Sequence, residues 1–146
     1  MNLGPPTNGG GDTKDVLINS DDTCGNGWVC EHRWRQIYNM AMFRNVVGFE
    51  PVENWWDNNG HQISFSRGDR GFIAINNEDF GMEVTLKTRM APGDYCDIIS
   101  GNKKNGSCTG KVITINSDGA IRVSIKYYEE DPVIAIHKES KLNYKN

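Results

Sequence analysis

From Phe49 onward, apolar residues recur at every second position in short runs that are broken by turn residues. Successive side chains of an extended chain point to opposite faces, so this spacing describes strands rather than helices. Ile63 and Phe65 alternate with Ser64 and Ser66. Arg67-Gly68-Asp69-Arg70-Gly71 supplies turn chemistry, and Phe72-Ile73-Ala74-Ile75 opens a second strand. Met82, Val84 and Leu86 alternate with Glu83, Thr85 and Lys87, the pattern of a half-buried strand. Ala91-Pro92-Gly93-Asp94 reads as a turn and Tyr95-Cys96-Asp97-Ile98-Ile99 as the strand after it. Val112 to Ile115 and Ile121 to Ile125 flank Asn116-Ser117-Asp118-Gly119, which predicts a hairpin. Val133-Ile134-Ala135-Ile136-His137 is apolar enough to be buried on both faces. At least six short strands spaced by turns predict an antiparallel sandwich or barrel.

Upstream the texture is different. Residues 31–46 carry the one good helical period, with Trp34, Ile37, Tyr38, Ala41 and Met42 forming an apolar stripe. Glu31 in the first turn and Arg44 in the last suit the helix dipole. Residues 1–30 are rich in Gly, Pro, Asn and Asp, with a single apolar patch at Val16-Leu17-Ile18, and read as irregular surface loop.

Composition excludes several classes. The 146 residues fit one domain, or one with an attached piece, and 37% hydrophobic against 24% charged residues is a globular balance. A net charge of −3 offers no basic field to nucleic acid or anionic lipid. No apolar run approaches the roughly 20 residues that span a membrane. Four cysteines fall into two close pairs, Cys24/Cys30 and Cys96/Cys108, whose spacings do not match the CxxC pairs of zinc sites. Local disulfides are the favoured reading, with structural or redox-active thiols as the alternative. The first residues have no charged region followed by an apolar one, so no secretory signal is expected here. Disulfide-like pairs without a signal suggest a secreted parent whose beginning lies upstream.

Several ordered stretches resemble the C-terminal third of animal α-amylases, the glycoside hydrolases that cut starch within the chain. They include Cys24-Gly-Asn-Gly-Trp-Val-Cys30 running into Glu31-His-Arg-Trp-Arg-Gln-Ile37, and Phe43-Arg-Asn-Val-Val47. Asn54-Trp-Trp-Asp-Asn58, Phe65-Ser-Arg-Gly68, Arg70-Gly-Phe-Ile73 and Pro92-Gly-Asp-Tyr-Cys-Asp-Ile-Ile-Ser-Gly101 follow, and Asp131-Pro-Val-Ile-Ala-Ile-His-Lys-Glu-Ser-Lys-Leu142 resembles the family's end. Only Met1-Asn2 and the tail 143–146 fall outside the similarity.

The resemblance implies that residues 1–48 are the last loop and helix of a (β/α)₈ barrel. It also implies that 49–142 form the family's C-terminal Greek-key β-sandwich. The family pairs its first two cysteines here, Cys24 with Cys30, and its last two, Cys96 with Cys108. Its catalytic carboxylates, calcium ligands and chloride-binding residues all belong to upstream barrel segments, so no catalytic, cofactor or metal residue carries over. A retaining glycosidase needs two carboxyl groups about 5–5.5 Å apart, and a barrel collects such groups from several strand ends. This chain alone is therefore expected to be inactive, a structural part of an extracellular enzyme that hydrolyses α-1,4-glucosidic bonds in starch and glycogen. Its expected partner is the rest of the barrel. The rival readings are a non-catalytic glucan-binding module and a non-functional truncated product.

Individual residues have bland and sharp readings. Glu129-Glu130-Asp131 before Pro132 reads as a solvated turn, and Asp57 as an anchor for loop backbone rather than a sugar contact. His32, His61 and His137 have no second histidine at ligand spacing and read as structural or exposed. Trp34 fits the helix stripe, as core or barrel packing. Trp28 lies inside the Cys24–Cys30 loop, packing over the disulfide or touching glucan at the surface. Of Trp55 and Trp56, one should point inward and the other outward, and the outward one is the better candidate for weak starch contact. Asn105-Gly106-Ser107 is an N-glycosylation acceptor pattern. Arg67-Gly68-Asp69 is explained by the hairpin turn.

Overall fold

The computed structural model describes residues 4–143, so most of the predicted tail 143–146 and the first three residues lie outside the described part. The chain divides into two compact units, Met1–Tyr38 and Asn39–Asn146.

The first unit is turns held by local bonds. Thr7 bridges Thr13 and Ile18 bridges Cys24. Between the first pair, the Asn8 carboxamide oxygen accepts from the backbone N–H of Gly10 and Asp12, the capture of its own loop for which Asn is suited. Cys24 is bonded to Cys30, with Cα atoms 6.0 Å apart. A 3₁₀ turn, Glu31–Arg33, then leads towards helix α1, Arg35–Val47.

The second unit is an antiparallel sandwich. Its strands are β1 (Val52–Asp57), β2 (Gln62–Arg67), β3 (Gly71–Asn76), β4 (Met82–Lys87), β5 (Gly93–Cys96), β6 (Lys103–Lys104), β7 (Ser107–Cys108), β8 (Val112–Ile115), β9 (Ala120–Ile125) and β10 (Val133–His137). One sheet has the order β1-β2-β3-β10 and the other β4-β9-β8-β5, with β6-β7 a small separate ribbon. The chain leaves the first sheet after β3, builds the second, and returns so that β10 lies beside β3. The predicted Greek-key sandwich is therefore the observed fold.

Alternation in the strands assigns faces. Phe72, Ala74, Ile134 and Ile136 of the first sheet meet Met82, Tyr95, Ile113, Ile115, Ile121, Val123 and Ile125 of the second in one buried cluster. Fully burying such side chains stabilises by about 1.5–3 kcal/mol each before conformational entropy is counted. The intervening Ile73 and Ala135 point the other way, into a second cluster with Phe43, Val47, Ile98 and Ile99. The first sheet is thus a middle layer, covered by the second sheet on one side and in part by the end of α1 on the other. This is why 72–75 and 133–136 are apolar without interruption.

Gly71 makes that third layer fit. A Cβ there would lie 2.6 Å from Val47 Cγ1 and 2.7 Å from Phe43 Cζ. Only a residue without a side chain lets the helix approach so closely. Asn39 ties the helix down as well, its Nδ2 donating to the Ile98 carbonyl at 2.7 Å and to Asn102 Oδ1 at 2.7 Å.

Three expectations need correction. The members of the stripe Trp34/Ile37/Tyr38/Ala41/Met42 that lie in α1 are not its buried side: Ile37 and Met42 are each 49% exposed, and Trp34, which precedes the helix, is 48% exposed. Asn39, Phe43, Val46 and Val47 are buried instead, on a face that, at about 100° per residue, lies nearly opposite. The helix is apolar on both sides, and packing chose the one that a period count did not. Ser64 and Ser66 are the inward members of β2, because Ser64 pairs with Ala74 and Ser66 with Phe72; both are 0% exposed, and their Oγ atoms have no hydrogen-bond partner. Finally, β5 ends at Cys96 rather than Ile99. The buried Asp97 stops it by accepting from the N–H groups of Ile99, Ser100 and Ala135 at 3.0–3.2 Å, which pulls the backbone into a turn.

Candidate functional site

The most developed surface feature lies on β1. Its pairing with β2 shifts between Glu53 and Trp56, and Asn54 there has φ +53°. A bulge of this kind re-aims the side chains that follow it. Trp56 turns inward and packs against the sandwich core, whereas Trp55 turns outward and is 57% exposed. The Trp55 ring stacks on Phe65, with centroids 5.9 Å apart and planes 11° from parallel. Its indole N–H donates to Asp57 Oδ2 at 2.8 Å, and Asp57 Oδ1 accepts from the N–H of Asn59 at 2.9 Å. The bond from Trp55, followed by that from Asn59, holds the Asp57 carboxyl below its ordinary pKa. One indole face is thus backed and its rotation fixed. A groove of about 220 Å³ beside it is lined by Asn54, Trp55, Trp56, Leu86 and Lys87.

The other singled-out residues are placed elsewhere. Trp28 is half-buried in the first unit, and its N–H donates to the Lys14 carbonyl at 3.0 Å. Its polar edge serves the loop. Cys96 is bonded to Cys108, Cα atoms 5.2 Å apart. Within that loop Asn105 is at the exposed tip of the β6–β7 ribbon. Glu129 accepts from Lys111 Nζ and from the Lys126 N–H; burial pushes its pKa up, but these partners outweigh it and the net displacement is downward. His137 is 8% exposed, edge-on to Phe43 at 6.3 Å, and burial lowers its pKa.

Among the described residues, the six carboxyl groups with displaced pKa values, Asp21, Asp57, Glu78, Glu83, Asp118 and Glu129, all move downward. A general acid near neutrality needs the opposite displacement. Nor does any group of three or more His, Cys, Asp or Glu side chains among the described residues stand ready for a metal ion.

Sequence reasoning missed two residues that organise this unit. Asp97 knots the β5 end to β10, and Asn39 fastens α1 to the same turn. A lone Asp inside an apolar run, and a lone Asn opposite an apolar stripe, were the available signals.

The second unit is a two-sheet Greek-key module that carries a stacked surface tryptophan. Residues 54–139 match the family described as the α-amylase C-terminal all-β domain. The chain is 61% identical over 140 residues to an α-amylase of Oryzias latipes and 56% identical over 140 residues to a human pancreatic α-amylase, covering 96% of this chain in each case. Among solved structures it matches wild-type α-amylase I of Eisenia fetida with a TM-score of 0.78 and 48% identity over 92% of this chain. The chain belongs to the α-amylase family and carries its C-terminal all-β domain. It spans 27% of the length of these relatives.

Proposed function

We propose that this chain is the non-catalytic end of an extracellular α-amylase whose full length hydrolyses internal α-1,4-glucosidic bonds in starch and glycogen. Residues 1–48 supply the last loop and helix of the catalytic barrel, and 49–142 the sandwich that docks against it. The observation that carries this reading is the two-faced helix. Asn39, Phe43, Val46 and Val47 are buried, while Trp34, Ile37, Tyr38 and Met42 are each about two-fifths to one-half exposed. Apolar side chains left bare mark a missing partner, and the chain spans 27% of the length of the Oryzias latipes relative. Calcium and chloride belong in this reading to other segments of the parent enzyme.

Three measurements test it. The purified chain should release no reducing sugar from soluble starch; turnover abolished by replacing one of its own acids overturns the reading. Co-expressed with the upstream portion of the Oryzias latipes relative, the chain should co-purify with it, and Ile37→Asp with Met42→Asp should abolish that association. Limited proteolysis should cut before residue 48 first and leave the sandwich whole.

A second reading, weak contact of the sandwich with starch or glycogen, is favoured by Trp55, which offers a backed aromatic face of the kind that stacks on pyranose rings. Starch in a native gel should retard the chain, and Trp55→Ala should remove the retardation while Trp28→Ala leaves it. Equal migration of wild type with and without starch counts against it.

A further inference from the structure

We propose that Asn105 is an N-glycan acceptor and that it is modified before Cys108 pairs with Cys96. The inference uses the secretory parent proposed above only to bring the chain to the transferase. Asn105-Gly106-Ser107 is the single place in the sequence where an asparagine stands two residues before Ser or Thr with a residue other than Pro between. It falls at an accessible point. Asn105 and Gly106 form the two-residue tip of the β6–β7 ribbon, with φ of +52° and +78°, both exposed. No atom lies within 4 Å of where a Gly106 Cβ would be, so the space above the tip is open. The Asn105 carboxamide has no hydrogen-bond partner among the described residues, unlike Asn39, Asn58 and Asn76, whose side chains are engaged by their own loops or strands.

The order of events follows from the same geometry. Both tip residues have positive φ, the conformation of a tight hairpin turn, so the chain reverses inside the acceptor triplet. A transferase must hold the Asn carboxamide and the Ser107 hydroxyl together on an opened chain. Ser107 is joined directly to Cys108, which is pinned to Cys96, and Lys103 pairs with Cys108 across the ribbon. Once the disulfide closes, that opening is lost. In the transfer, Asn105 Nδ2 forms a bond to the anomeric carbon of the donor oligosaccharide. The bond from that carbon to the pyrophosphate of a polyprenol carrier breaks, the pyrophosphate leaves with the electron pair, and the displaced amide proton passes to a base of the transferase.

Translation of the full chain behind an added signal peptide into endoplasmic-reticulum microsomes tests both halves, and needs neither starch activity nor a folded variant. The wild type should gain one glycan removable by peptide N-glycosidase, and Asn105→Gln and Ser107→Ala should each lose it. Cys96→Ser with Cys108→Ser, or dithiothreitol during translation, should raise the occupied fraction. A wild-type chain without glycan overturns the site, and occupancy unchanged when the disulfide is prevented overturns the order. Full occupancy with an inactive co-expressed amylase would leave this inference standing while the proposed function fails.

Discussion

The two units of this chain use the same amino acids to opposite ends. Between residues 4 and 38 nothing is buried, and Val16, Leu17, Ile18 and Val29 are each about half exposed. From Asn39 on, 21 of the described apolar residues are buried, and most of them form two clusters on the two faces of one sheet. The first unit is held by a disulfide and side chain-to-backbone bonds, the second by apolar burial. A segment that keeps its apolar residues wet has its shape set by local constraint, and only a covering surface can turn those residues into stability.

That contrast can be broken by substitution, and the largest effect should come from the core. Phe72→Ala should destabilise the sandwich by about 3–5 kcal/mol in urea unfolding, whereas Leu17→Ala should change it by no more than about 0.5 kcal/mol. Equal effects would dissolve the distinction. Next, Cys96→Ser with Cys108→Ser should lower sandwich stability by about 2–4 kcal/mol, while Cys24→Ser with Cys30→Ser should leave its midpoint in place. Gly71→Ala is expected to cost about 1–3 kcal/mol by pushing Phe43 and Val47 off β3, and a second substitution, Val47→Ala, should recover part of the loss. Recovery absent, with full cost present, would mean that Gly71 serves turn geometry and not helix docking.

The smallest effect concerns pH. His137 is buried neutral, so its folded pKa lies below the ordinary 6.5. The unfolded chain therefore binds a proton first as pH falls, and stability, complete above about 6.5, declines below that value towards the folded pKa. His137→Gln should flatten this segment of a urea-midpoint against pH curve. The carboxylates with lowered pKa lose their contribution only at more acidic pH, so the two windows separate. An unchanged slope between pH 7 and 5 in the variant would show that His137 does not titrate with folding.

Much of the fold was legible because strand periodicity is a local property. The hairpin across Asn116–Gly119, the turn at Arg67–Gly71 and the doubly buried run at Val133–His137 all follow from residues read in order. The candidate surface was legible in part. Adjacent Trp55 and Trp56 had to face opposite ways, but which faced out depended on a bulge at Asn54 that no sequence signal announced. Ser64 and Ser66 are the polar members of the alternation in β2, yet both are buried. They point inward because Phe65, on the opposite face of β2, packs with the cluster that holds Phe43 and Val47 of α1.

By itself, then, the order of residues determined that a helix precedes an antiparallel sandwich, since backbone geometry sets the 3.6- and 2-residue repeats. It also carried, through long ordered matches, the family. Which side of α1 is buried, where β5 stops and which tryptophan meets solvent were decided only in three dimensions. Each depends on groups far along the chain: Gly71 opposite Phe43, Ala135 opposite Asp97, and Phe65 beneath Trp55. Burial is settled between surfaces, and a surface is known only once its partner has arrived.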